Sequence, residues 1–151
     1  MRWMIVLMTA LSLMVGGAWG DEDAKKDLDR MQGEWQMVSG EFNGEKFPEE
    51  MTKAAKRTVK DDTYTVVMRD EEGQPRTVKG KFKLDATQSP RAIDATTTVE
   101  GEEGEAKIVG IYEFTGDDEV RVCMAGVDRG RPKAFDSQQG TLVTWKRVKK
   151  E

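Results

Sequence analysis

Histidine is absent from the 151-residue sequence, and its absence excludes several kinds of site. Without an imidazole the chain lacks Ser-His and Cys-His nucleophile pairs, histidine-ligated zinc and the usual acid–base group near neutral pH. No glycine-rich phosphate loop occurs, and nothing in the sequence places two carboxylates across a cleft. We therefore predict no catalytic residues, no cofactor and no metal site, in a protein that is not an enzyme.

Cysteine is nearly absent too. Because Cys123 is the single cysteine, an internal disulfide is excluded and the fold must be held by its core. We interpret Cys123 as a thiol buried in a strand, with a bond to another chain as the alternative.

The sequence also lacks an apolar run of about 20 residues, the length that a membrane-spanning helix needs. Its longest run, residues 4–15, follows Arg2 and precedes the small-x-small triplet Ala18-Trp19-Gly20, a pattern typical of a signal peptide. We predict a signal peptide over residues 1–20 and one mature domain over residues 21–151. The protein is then exported to the periplasm or cell envelope or secreted, with no membrane span after cleavage.

An excess of positive charge is missing as well. Residues 21–151 contain 23 basic and 28 acidic residues, a net charge of −5, which argues against nucleic acid or anionic lipid as a partner.

The run Arg129-Gly130-Arg131-Pro132-Lys133 is similar to a minor-groove hook but stands alone. We interpret it as a solvated loop, with contact of Arg129 or Arg131 to an anion or carboxylate as the alternative. The acidic stretches 100–105 and 117–119 lack the ligand spacing of a calcium loop and predict solvated turns.

Apolar residues at helical spacing predict two short helices. The first has Asp21 or Asp23 as N-cap, Gly33 at its end, and an apolar stripe of Ala24, Leu28 and Met31. The second has Pro48 in its first turn and an apolar stripe of Phe47, Met51 and Ala54.

The rest of the chain alternates between apolar and polar residues, which is typical of strands with one buried face. The clearest example is residues 77–85, and Asn43-Gly44 is a strong hairpin signal. The predicted strands are residues 34–42, 57–60, 63–69, 77–85, 91–99, 106–114, 119–125 and 141–148. Eight short strands with tight connections predict an all-β protein, an antiparallel up-and-down eight-stranded β-barrel.

Several motifs carry a resemblance to a known family. Gly33-Glu34-Trp35 has the form of the Gly-x-Trp signature that opens lipocalin barrels. The wider pattern comprises Leu28 to Trp35, Phe42-Asn43-Gly44-Glu45, Pro48, Ile93-Asp94, Gly110 to Phe114 with Gly116-Asp117, Val122-Cys123 and Arg131-Pro132 with Phe135. Over residues 24–150 the chain closely resembles the uncharacterised lipocalin-like domain family of planctomycete bacteria. The resemblance implies a lipocalin-like barrel behind an export signal and implies no activity.

The resemblance also implies a structural motif at the closed end of the barrel, where a basic residue from the last strand lies over the tryptophan. Gly33 and Trp35 match the first part, and Arg147, which shares a strand face with Val143 and Trp145, is our choice for the basic residue. The last strand alternates ambiguously, so either of its faces could point inward.

Ten apolar residues would face the barrel interior if each strand keeps its apolar side inward. They are Met37, Tyr64, Val66, Met68, Phe82, Leu84, Tyr112, Phe114, Val122 and Met124. An eight-stranded barrel either fills its interior with side chains or holds one small ligand, and this set of residues fits both cases. Our leading hypothesis is an exported barrel that binds a small hydrophobic molecule at these residues, with the helix around residues 48–56 as its portal. The alternative is a packed barrel whose outer face or 126–140 loop docks an envelope protein.

Overall fold

Nine strands and two helices make up residues 18–149, the part of the chain that the computed structural model describes. The helices are α1 (Ala18–Met31) and α2 (Glu49–Ala54). The strands are β1 (Gly33–Phe42), β2 (Glu45–Lys46), β3 (Lys56–Lys60), β4 (Thr63–Arg69), β5 (Pro75–Asp85), β6 (Arg91–Val99), β7 (Ala106–Gly116), β8 (Glu119–Gly126) and β9 (Thr141–Arg147).

Eight of these strands close into an antiparallel barrel, as the sequence predicts. From β3 to β9 each strand pairs with the next along the chain, and β1 pairs with both β3 and β9. The closing register places Trp35 opposite Arg147. The two-residue β2, which the sequence analysis did not predict, only extends the hairpin at Asn43-Gly44 and lies outside the ring. Closure gives every barrel strand a neighbour on both sides, although the five-residue β3 covers only part of β1 and β4.

Helix α1 lies at one end of the barrel, and its apolar stripe packs on the core as predicted. Met31 is fully buried, and Ala24 and Leu28 pack beside it. The predicted N-cap at Asp21 or Asp23 is wrong, because α1 already begins at Ala18 and includes both residues. The predicted signal peptide lies outside the described residues, apart from residues 18–20 at the start of α1.

Helix α2 lies at the opposite end, where the short β3 stops pairing with its neighbours. It contacts β1 and β4, and Pro48 precedes it as its N-cap residue. Gln36 Nε2 donates to the carbonyl oxygens of Thr52 and Lys53, which fixes the end of α2 against β1. The helix therefore lies beside the barrel end away from α1, and none of its residues lines the cavity described below.

The predicted alternation of buried and exposed side chains holds in β5. In β9 the structure shows which of the two strand faces points inward. Phe82 and Leu84 of β5 point inward and are buried, whereas the lysines between them are exposed. In β9 the inward face is that of Val143 and Trp145, both less than 10% exposed.

Within the 127–140 segment the 129–133 stretch is exposed except for Pro132, in line with its interpretation as a solvated loop, but Arg131 attaches it to the outside of the barrel. Arg131 donates through Nη1 to the carbonyl oxygens of Ile93, at 3.1 Å, and Gly110, at 2.7 Å, and through Nη2 to the Asp94 carboxylate. Asp94 is thus the carboxylate contact that the sequence analysis held as the alternative for Arg131. Arg129 contacts only its own loop, at the Gln138 carbonyl oxygen.

Beneath this segment Cys123 is completely buried, as predicted for an inert thiol. Its Sγ lies 3.5 Å from the carbonyl oxygen of Asp136, to which it donates. Burial raises the pKa of the Cys123 thiol, which keeps it in its unreactive protonated form.

Among residues 18–149, no helix combines the length and apolar character that crossing a membrane requires.

Candidate functional site: a cavity in the barrel interior

A cavity of about 150 Å³ lies inside the barrel. Nine of its twelve lining residues are apolar, and the other three are Arg57, Tyr64 and Thr141. The apolar lining residues are Val66, Phe82, Ile93, Ala95, Ile108, Val122, Met124, Val143 and Trp145. A cavity of this volume with such walls accommodates a molecule the size of benzene. The barrel is therefore not completely filled by its own side chains.

All ten residues predicted for the interior belong to the core or pack against it. The structure brings five of them together around the cavity: Tyr64, Val66, Phe82, Val122 and Met124. The other five, Met37, Met68, Leu84, Tyr112 and Phe114, pack elsewhere in the core and do not line it. Seven lining residues were not predicted from the sequence, among them Arg57, Ala95 and Trp145.

Arg57 is the most unusual lining residue, because its guanidinium group lies inside an apolar barrel. The residue is 7% exposed, and Nη2 donates to Met31 Sδ over 3.6 Å. Burial lowers the pKa of Arg57 to about 10, so the group remains protonated at neutral pH. Alternation within β3 signals this orientation, since Arg57 and Val59 are both buried between exposed neighbours.

Tyr64 stands beside Arg57 on the cavity wall, and its hydroxyl group already has a partner. The hydroxyl donates to the carbonyl oxygen of Thr96 over 3.2 Å, and the ring lies 6.2 Å from that of Phe82. Burial raises the pKa of the Tyr64 hydroxyl, so it stays protonated at neutral pH. Gly80 makes room for this side chain, because a Cβ there would lie 2.6 Å from the Tyr64 oxygen.

The barrel floor is built as the Gly-x-Trp motif implies. The Arg147 guanidinium lies 4.3 Å from the centroid of the Trp35 ring, and Trp35 Nε1 donates to the Met31 carbonyl oxygen at 2.9 Å. Gly33 permits this stacking, because its φ of +108° suits glycine and a Cβ would lie 3.2 Å from Arg147 Nη1. These three residues hold α1 against the barrel.

A second buried polar group ties α1 to the barrel wall, and sequence analysis missed it. Asp27 Oδ2 accepts hydrogen bonds of 2.6 Å from both the Tyr112 hydroxyl and Arg91 Nη1. Burial raises the pKa of Tyr112, and the bond that it donates to Asp27 raises it further. The position of Asp27 between Ala24 and Leu28 is the only signal that the sequence offers.

No group of three or more Cys, Asp and Glu residues able to hold a metal ion occurs within residues 18–149. Comparisons of the chain with protein-family models, with curated proteins and with solved structures found no match.

Proposed function

We propose that this protein is an exported, lipocalin-like, non-enzymatic carrier that binds a small and largely apolar molecule inside its barrel. The observation that supports the proposal is the cavity of about 150 Å³, with nine apolar side chains in its wall. Interiors of small domains are normally packed as densely as organic crystals, so retained space of this size needs an explanation. A ligand that fills the space supplies one.

The alternative is a packed barrel whose outer face or 126–140 loop docks an envelope protein. Arg131 and the buried Ser137 bind this loop to its own barrel. These contacts fix the position of the loop, whereas most of its residues are exposed.

A neutral aromatic probe tests the proposal. We expect toluene to bind to the folded domain with one-to-one stoichiometry in isothermal calorimetry. Ala95→Leu adds volume inside the cavity and should abolish this binding. The matched control is Ala106→Leu, which makes the same change at an exposed residue of β7 and should leave toluene binding unaltered.

Either of two results would overturn the carrier proposal. The first is the absence of toluene binding in a folded protein, and the second is binding that Ala95→Leu does not change. Both would favour the packed barrel that interacts through its surface. Mass spectrometry of the protein from its native envelope, under native and then denaturing conditions, would identify a ligand carried in the cell.

Export has its own test, because it does not depend on the cavity. We expect the mature protein in a cell-envelope or culture fraction to begin at Asp21. A protein that keeps residues 1–20 and remains in the cytoplasm would contradict the proposal of export.

A further inference from the structure

The cavity contains a positive charge without a matching negative one. Arg57 is the only cation among the twelve lining residues, and none of them is acidic. No carboxylate among the side chains that the structure describes, residues 22–149, lies within 4.0 Å of its guanidinium nitrogens. Buried charges in proteins are normally paired or hydrogen-bonded, because the cost of removing an ion from water is several kcal/mol. The described part of the chain therefore supplies no negatively charged partner for this group.

The surrounding side chains compensate only part of this cost. Arg57 lies 5.9 Å from the centroid of Phe82 and 6.0 Å from that of Trp145, both at the outer limit for a cation–π contact. Its hydrogen bond to the Met31 sulfur uses a weak acceptor. The guanidinium fork has five N–H donors, and this is the one hydrogen bond that they make among the described residues.

Barrel architecture alone does not require an arginine here. The same inward face of β3 carries Val59, and the floor beneath is already fixed by the stacking of Arg147 on Trp35. A charged group without a carboxylate partner, located on the wall of the candidate site, points to a role in binding.

We propose that the ligand is a small monocarboxylate whose carboxylate group binds to Arg57 and whose apolar body fills the cavity. This inference rests on the proposed function, and it adds the chemical class of the ligand. A carboxylate presents two oxygens in one plane, which match the guanidinium fork. The volume of about 150 Å³ limits the body to roughly the size of a benzene ring.

Charge balance favours a single negative charge. One carboxylate and Arg57 together are neutral, so the complex leaves no net charge inside the barrel. A phosphate monoester or phosphonate carries up to two negative charges near neutral pH and would leave one of them uncompensated, because the wall offers no second cation. An uncharged ligand would leave the cation of Arg57 unpaired.

Three probes of nearly equal size separate these cases by calorimetry on the folded domain. Benzoate carries the carboxylate, benzyl alcohol is its neutral counterpart, and phenylphosphonate carries the larger anion. We expect benzoate to bind at least about tenfold more tightly than benzyl alcohol, the ratio that a charge-assisted hydrogen bond supplies. We expect phenylphosphonate to bind less tightly than benzoate.

Two variants assign the preference to Arg57. Arg57→Met keeps the length of the side chain but removes the charge, so benzoate should lose its advantage while toluene still binds. Arg57→Lys keeps the positive charge but lacks the planar N–H donors of a guanidinium group. This variant should retain part of the preference for benzoate over benzyl alcohol. Toluene binding by each variant serves as the check that its cavity is intact.

The outcomes separate the two proposals. If toluene binds but benzoate is no better than benzyl alcohol in the unaltered protein, the carboxylate inference fails and the carrier remains. If phenylphosphonate binds best, the site takes phosphoryl anions and the assignment to carboxylates is wrong. An unchanged preference for benzoate in Arg57→Met also overturns it. If toluene does not bind at all, both proposals fail.

Discussion

The guanidinium group of Arg147 lies over the indole of Trp35 and joins the first and last strands of the barrel to α1. Besides stacking at 4.3 Å, Arg147 donates to the carbonyl oxygens of Arg30 and Gln32 and, over 3.2 Å, to Asp118 Oδ1. One side chain therefore contacts three segments at the closed end. Because of these contacts, we expect the stability of the fold to depend strongly on Arg147.

We predict that Arg147→Met lowers the free energy of unfolding by about 2–4 kcal/mol. The substitution keeps the alkyl packing but removes the cation–π contact and several charge-assisted hydrogen bonds. Denaturant unfolding followed by tryptophan fluorescence measures the change. The control is Lys146→Met, at the exposed neighbouring position, which should shift stability by no more than about 0.5 kcal/mol. Equal losses in the two variants would show that Arg147 has no special role.

The two tyrosines provide a prediction about alkaline pH. The pKa of both Tyr64 and Tyr112 is raised by burial, so the folded protein retains protons that an unfolded chain loses near pH 10. Their contribution to stability is therefore complete below about pH 10 and is lost as the pH rises above it. We expect tyrosinate absorbance to appear together with unfolding, and not before it.

Tyr112→Phe is the control for this titration. It removes the hydrogen bond to Asp27 and so lowers stability at every pH, but stability should then fall less steeply above about pH 10. A folded protein that shows two tyrosinates near pH 10 would contradict the prediction.

The position of the 127–140 segment makes the reactivity of Cys123 depend on loop opening. We predict that a thiol reagent labels the native protein slowly and the unfolded protein at once, since the thiol is fully buried. Arg131→Met removes the anchor of the loop to Ile93, Gly110 and Asp94 and should raise the labelling rate by about tenfold or more. Arg129→Met, in the same loop but bound only to Gln138, should leave the rate nearly unchanged.

Fast labelling of the unaltered protein, or equal rates in both variants, would mean that the loop does not protect the thiol. A disulfide-linked dimer of the native protein would instead support the alternative in which Cys123 forms a bond to another chain.

The barrel itself was predictable because alternation along each strand records which side chains are buried. The same reasoning places Val78, Phe82 and Leu84 on one face of β5, and the resemblance to lipocalins selected Arg147 as the partner of Trp35. The ends of the strands were less well predicted. Strand β5 begins at Pro75, before the predicted start at residue 77, and β7 continues to Gly116, beyond the predicted end at residue 114.

The candidate site was only partly predictable, because its most informative member breaks the rule that charged residues face water. Alternation with Val59 places Arg57 inside, but its charge argues for solvent, and sequence alone does not resolve the conflict. The attachment of the 127–140 segment to the barrel backbone was not predicted, for a related reason. Its polar residues bind the barrel through backbone carbonyl oxygens, and a sequence pattern does not show such acceptors.

Arg57 should reduce the stability of the fold that contains it. Replacing a buried and unpaired cation with an apolar side chain of similar length removes a desolvation cost, and the lost contact to the Met31 sulfur is weak. We predict that Arg57→Met raises the free energy of unfolding by about 1–3 kcal/mol in denaturant titrations without ligand. Lys56→Met, at the exposed neighbour in β3, is the control and should change it by no more than about 0.5 kcal/mol.

Residues that serve binding often lower stability, and this trade-off is expected if Arg57 is retained for a ligand. A loss of stability in Arg57→Met would instead mean that its contacts to Phe82, Trp145 and Met31 compensate the buried charge, and that Arg57 has a structural role.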